Sequence, residues 1–178
     1  IRGAHGVGRN CVERGFHIAG WSGTFAAAAT TGILEGLDHG KLGHALALGG
    51  TQGAGLMGAQ YGAEVKRYHM GRAAQSGFLA AHYANATLTG DQRIFGDRYG
   101  SVGPTLSGEE GYNAEAVVSG LGDEYRIVDS MHLKPFPSII SIHAPVAGVR
   151  DILNEYELDP STVESVTVWT SRASKEHV

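Results

Sequence analysis

The sequence predicts a mainly α protein, made of part of an all-helical domain followed by part of a smaller α+β domain. Three observations carry this prediction. Apolar and small residues recur at helical spacing through three long stretches before residue 90. The 27 glycines of the 178 residues lie mostly among Ala and Leu and follow no collagen period, a pattern that suits closely packed helices better than linkers. After Asp123 the pattern changes, and short β-branched runs alternate with one more helical stretch. The chain therefore divides near residue 112, into an all-helical part (1–112) and an α+β part (113–178).

The first predicted helix runs from Trp21 to Gly36, with Ser22 as N-cap, apolar residues at Phe25, Ala29, Ile33 and Leu34, and Gly36 as its stop. Asp38 caps the second, Lys41 to about Gln52, where Leu42, Ala45, Leu46 and Gly49 share a face. Glycines inside it cost roughly 1 kcal/mol each in helix propensity, so a neighbouring helix must approach closely to compensate. Gly58 to Glu64 reads as a loop. A third helix spans His69 to Ala86, with Ala73, Ala74, Gly77, Phe78, Ala81 and Ala84 on one side. Ile94 to Gly111 reads as loop and short turns. Tyr125 to Leu133 has the composition of a strand, Ser138 to Tyr156 that of a helix, and Val163 to Thr170 alternates as a half-buried strand does. The chain opens on Ile1, closes on Lys175-Glu176-His177-Val178, and reads as a piece of something longer.

Composition narrows the function. At 42% apolar and 18% charged the chain can bury a core, and no apolar run reaches the roughly 20 residues of a membrane span. Fourteen basic against 18 acidic residues argue against nucleic acid as a partner. One cysteine, Cys11, permits no intrachain disulfide, and no signal peptide is visible, so the expected setting is the cytoplasm. Gly53 to Gly58 (GAGLMG) follows no predicted strand, which removes the dinucleotide and P-loop readings. His39 and His44 lack the i, i+4 spacing of a helical metal pair, so neither a metal nor an organic cofactor is expected.

Three groups of residues could carry chemistry. Lys66, His69 and Arg72 stand at i, i+3, i+6 just ahead of the third predicted helix, where free N–H groups and the helix dipole favour a carboxylate or phosphate. The same spacing also suits a solvated basic turn. Lys134 is followed by Pro135-Phe136-Pro137, which fixes its backbone, with His143 further on. A desolvated lysine there could serve as acid, base or clamp, although prolines also simply end strands. His17, in Arg14-Gly15-Phe16-His17, is either a packed group before the first helix or a proton shuttle.

Four segments in series, GFHIAGWSGTFAAAATTGILEGLD, HALALGGTQGAGLM, VKRYHMGRAAQSGFLAAHYA and LKPFPSIISIHAPVAGV, closely resemble the MmgE/PrpD family. That family includes 2-methylcitrate dehydratase, cis-aconitate decarboxylase and iminodisuccinate epimerase. The resemblance implies a large all-helical domain, a smaller α+β lid with the active-site cleft between them, a homodimer, and a small di- or tricarboxylate substrate. Carried over residue by residue, it places His17, Lys66, His69 and Lys134 at cleft-lining positions, which makes them the catalytic candidates; Arg72 and His143, from the residue groups above, are the substrate-binding candidates. The function expected is a cofactor-independent acid/base lyase, first a dehydratase of the 2-methylcitrate type, with decarboxylase and epimerase as the family alternatives. Family members are usually more than twice this length, and many carry polar, Cys or Arg residues where Ile139 and Ile140 stand, which implies a different substrate pocket. The rival readings are a non-catalytic helical interaction module and an inactive truncated paralogue. An enzyme should gather Lys66, His69 and Lys134 within about 10 Å of one another, whereas a scaffold would scatter them.

Overall fold

The computed structural model describes residues 2–8, 10–62, 64–96, 98–171 and 174–175. The closing Glu176-His177-Val178 thus lies outside the described residues. The chain forms two compact units, 1–129 and 130–178. In chain order the helices are α1 (Arg2–Val7), α2 (Asn10–Glu13), α3 (Ile18–Leu34), α4 (His39–Gly50), α5 (Val65–Asn85), α6 (Val102–Ser107), α7 (Ala114–Val118), α8 (Ile127–Ser130) and α9 (His143–Glu155). The protein is mainly α, as the sequence predicts, and the one β contact among the described residues is the isolated bridge between Phe16 and Leu56.

The first unit is built on α3, α4 and α5, whose small residues let the backbones come close. A Cβ at Gly77 would lie 2.3 Å from the Thr24 carbonyl oxygen and 2.6 Å from the Ala28 nitrogen, so α5 rests directly on the α3 backbone. Gly49 of α4 approaches the same turn of α3, where its Cβ would meet Thr24 Cγ2 and Ala28 Cβ at 3.4 Å. Two apolar clusters flank this contact. One joins Val7, Cys11, Trp21, Val102 and Leu106, with Phe25, Ile94 and Tyr112 against it. The other joins Ala45, Ala81 and Ala84 under Leu37 and Leu48.

Caps explain where the helices stop. Gly36 adopts φ +71, its N–H donates to Ile33 O, and Leu37 N–H donates back to Gly32 O, the paired bonds that close a helix on a left-handed residue. Asp38 then accepts from Lys41 N at 2.9 Å and starts α4, as predicted. Ser22 does not cap α3. That helix begins a turn earlier at Ile18, and its opening is tied instead by backbone bonds from the 53–57 loop. Likewise α5 begins at Val65, so Lys66, His69 and Arg72 lie within its first two turns rather than ahead of it.

The stretch from Ile94 to Gly111, read as loop, holds α6 and the 3₁₀ turn Glu109–Gly111. Beyond it, Tyr112 Oη donates to Phe95 O at 2.6 Å and Asn113 N donates to Gly6 O at 2.7 Å. These bonds keep the segment after residue 112 with the first unit, and the break between units falls after Asp129.

Neither predicted strand forms. Tyr125 to Leu133 coils into α8 at its centre, and Val163 to Thr170 is exposed throughout and joins no ladder. A strand is stabilised by its partner's hydrogen bonds and facing side chains, and no partner strand exists among the described residues. In the second unit α9 begins at His143 rather than at the predicted Ser138, after a 3₁₀ turn at Ile140–Ile142, and carries Val149 and Leu153 on its less exposed face, while Val146 is exposed.

Candidate active site

The site in the first unit is assembled from three segments. Residues 15–17 lead into α3, residues 53–57 connect α4 to the turn before α5, and α5 supplies His69. The first two run antiparallel for one bridge: His17 N–H donates to Gly55 O at 2.9 Å and Met57 N–H to Gly15 O at 2.7 Å. Gly20 allows this approach, because a Cβ there would lie 2.2 Å from the Ala54 carbonyl oxygen.

These bonds fix His17 opposite His69. The two Nδ1 atoms are 2.9 Å apart, and the rings tilt by 48° with centroids 5.2 Å apart. At that separation one Nδ1 must carry a proton and the other must accept it, so the pair shares a single proton between its Nδ1 atoms. Neither Nε2 has a hydrogen-bond partner among the described residues. Gly55 makes the contact possible: it sits at φ +132, and a Cβ there would lie 2.9 Å from His69 Nδ1.

Lys66, one turn before His69 on α5, is half-buried and donates to Gln60 Oε1 at 3.5 Å. Burial lowers the His17 pKa from its ordinary value of 6.5, and the positive charges of His69 and Lys66 lower it further. The first unit therefore places a neutral-leaning histidine, a second histidine sharing its proton, and an ammonium in one neighbourhood. Gly55 and Gln60 were not among the residues singled out in the sequence. The signal for Gly55 was the glycine run 53–58 itself, which marks close backbone approach when no phosphate-binding context surrounds it.

Arg72 is not drawn into that neighbourhood. Its guanidinium is exposed, donates to Gln75 Oε1 at 2.9 Å, and lines a separate cavity whose walls contain neither His17 nor His69. Lys134 and His143 belong to the second unit, where both turn onto one carbonyl. The exposed Lys134 Nζ donates to Ser138 O at 3.1 Å, and His143 Nε2 lies 3.3 Å from the same oxygen. His143 is buried at 7% exposure, its ring edge-on to Phe136 at 5.5 Å. In this unit it ties the start of α9 to Ser138 and Phe136. The arrangement holds the lysine near its own turn. Cys11 is fully buried, and burial raises its thiol pKa, so it offers no nucleophile. No helix among the described residues is long and apolar enough to cross a membrane.

Known proteins resemble this chain over most of its length. A cis-aconitate decarboxylase of Aspergillus terreus is 30% identical over 179 residues, covering 96% of this chain and 36% of the relative. A cis-aconitate decarboxylase-like protein of Aspergillus oryzae is 28% identical over 153 residues, covering 84% of this chain and 32% of the relative. The chain thus spans about a third of the length of these curated relatives. Residues 1–113, which contain His17, Lys66 and His69, match the MmgE/PrpD N-terminal domain, and the chain belongs to the MmgE/PrpD family.

Proposed function

We propose that the full-length protein is an acid/base lyase acting on a small di- or tricarboxylate. The single observation that carries this reading is the His17–His69 contact at 2.9 Å with Lys66 beside it. Dehydration, decarboxylation and epimerisation of such substrates all move a proton at a carbon next to a carboxylate, and negative charge grows on that group in the transition state. A preorganised cation stabilises that charge, and a neutral imidazole is the natural carrier of the proton near pH 7. In this scheme the Nδ1 proton stays within the pair and fixes both rings, while an Nε2 exchanges the proton with substrate. Lys66 holds a carboxylate, and Lys134, which the family resemblance marks as a cleft-lining position, holds another. No metal or organic cofactor enters the scheme.

The names of the relatives support decarboxylation of cis-aconitate, and dehydration of 2-methylcitrate is the alternative within the family. On the family resemblance we further propose that 1–112 belong to the all-helical domain and 113–178 to the first part of an α+β lid, a boundary between family domains rather than between the compact units, in a cytoplasmic homodimer. The test is to assay the full-length protein, without added metal, against cis-aconitate, 2-methylcitrate and iminodisuccinate. Turnover of one of them that is lost in His17→Asn is expected. Turnover unaffected by that change would overturn the assignment.

A further inference from the structure

A cavity of about 300 Å³ opens between α4 and α5, lined by Leu48, Gln52, Arg72, Ser76, Tyr83 and Leu88 among others. Its volume is at the lower end of small-molecule sites. Arg72 is its one cation and is used only lightly: one of its five N–H donors meets Gln75, and no acidic group pairs with it among the described residues. One turn along the same face, Ser76 is 4% exposed and its Oγ has no hydrogen-bond partner. A buried hydroxyl left without a partner costs about 1 to 3 kcal/mol, which a ligand acceptor relieves once a small side-chain shift opens Oγ to the cavity. Gln52 adds a neutral amide, while Leu48, Leu88 and the ring of Tyr83 supply apolar wall.

From these residues we infer a second ligand site, separate from the histidine pair, that takes a small monocarboxylate with an apolar body. The planar fork of Arg72 matches a carboxylate. One cation with no second beside it suits a monoanion, and the leucines suit an alkyl or aryl tail rather than a second charged group. The site is independent of the proposed function, because none of its lining residues belongs to the histidine pair.

Isothermal titration of the full-length protein with hexanoate tests it, with 1-hexanol and inorganic phosphate as comparison probes. Hexanoate should bind at least about tenfold more tightly than either, as expected for a charge-assisted hydrogen bond. Arg72→Gln should weaken hexanoate at least about tenfold, Arg72→Lys should weaken it less, and His17→Asn should leave it unchanged. Ser76→Ala keeps the fold and the charge, and should weaken hexanoate severalfold. Absence of hexanoate binding, equal binding of hexanol, or binding that survives Arg72→Gln would overturn the inference. Loss in His17→Asn would do the same, since it would place the ligand at the histidine pair.

Discussion

Two glycines on α5 permit a controlled measurement of how closely the central helices pack. Replacing either by Ala gains about 1 kcal/mol of helix propensity. At Gly71 the new methyl meets nothing within 4 Å, so that gain should appear undiminished. At Gly77 the methyl would sit 2.3 Å from Thr24 O, 2.5 Å from Ala27 Cβ and 2.6 Å from Ala28 N. Ordinary contact begins at 3.4 Å, so α3 and α5 must separate by about 1 Å, and none of these atoms is the end of a flexible side chain. Overpacking against rigid neighbours costs roughly 1 to 3 kcal/mol, and contact with backbone on the facing helix places this case near the top of that range. The net effect of Gly77→Ala is then a loss of about 2 kcal/mol, set against a gain of about 1 for Gly71→Ala. For a chain of this size that is a Tm lower by about 4–8 °C in the first variant and higher by about 2–4 °C in the second. Thermal melts of both variants beside the parent decide it. If both raise Tm equally, the backbones of α3 and α5 do not touch at Gly77 and the packing argument fails.

Three further outcomes follow from the site. Because burial, His69 and Lys66 lower the His17 pKa, His17 stays neutral to a lower pH than an ordinary histidine, and the acid limb of kcat/KM should lie beneath 6.5. Lys66→Met removes one of the charges that lower it, so the limb should move up toward 6.5, and a downward move would reverse the electrostatic assignment. The same lowered pKa means the unfolded chain binds a proton that the folded one does not, between the folded pKa and 6.5. Stability should therefore rise with pH across that window and level off above it, and His17→Asn should flatten the rise in a series of urea melts. Lys134→Ala in the full-length protein should lower kcat/KM at least about tenfold, and unchanged turnover would remove Lys134 from the scheme.

The local parts of the fold were legible because their causes are local. Gly36 ends α3 and Asp38 starts α4 through residues only a few positions away, and the small-residue faces of α3 to α5 are written at helical spacing. The segments 125–133 and 163–170 were misread because alternation states a preference for a half-buried strand, whereas the stabilising bonds belong to a partner. His17 and His69 were each visible as candidates, but their contact was not. They are 52 positions apart, and what joins them is a bridge between two loops that depends on the missing side chains of Gly20 and Gly55. Arg72 shared a spacing with Lys66 and His69 but turns to a different groove, its guanidinium drawn one turn on toward Gln75.

The most direct measurement is a double-substitution cycle on the full-length protein: kcat for His17→Asn, for His69→Asn and for both together, on the substrate that the parent turns over. Two rings that share one proton act as a unit, so the double variant should be no slower than the worse single variant. Losses that multiply across the two positions, or a single variant that keeps the parent rate, would mean that the two histidines do not work as one proton carrier.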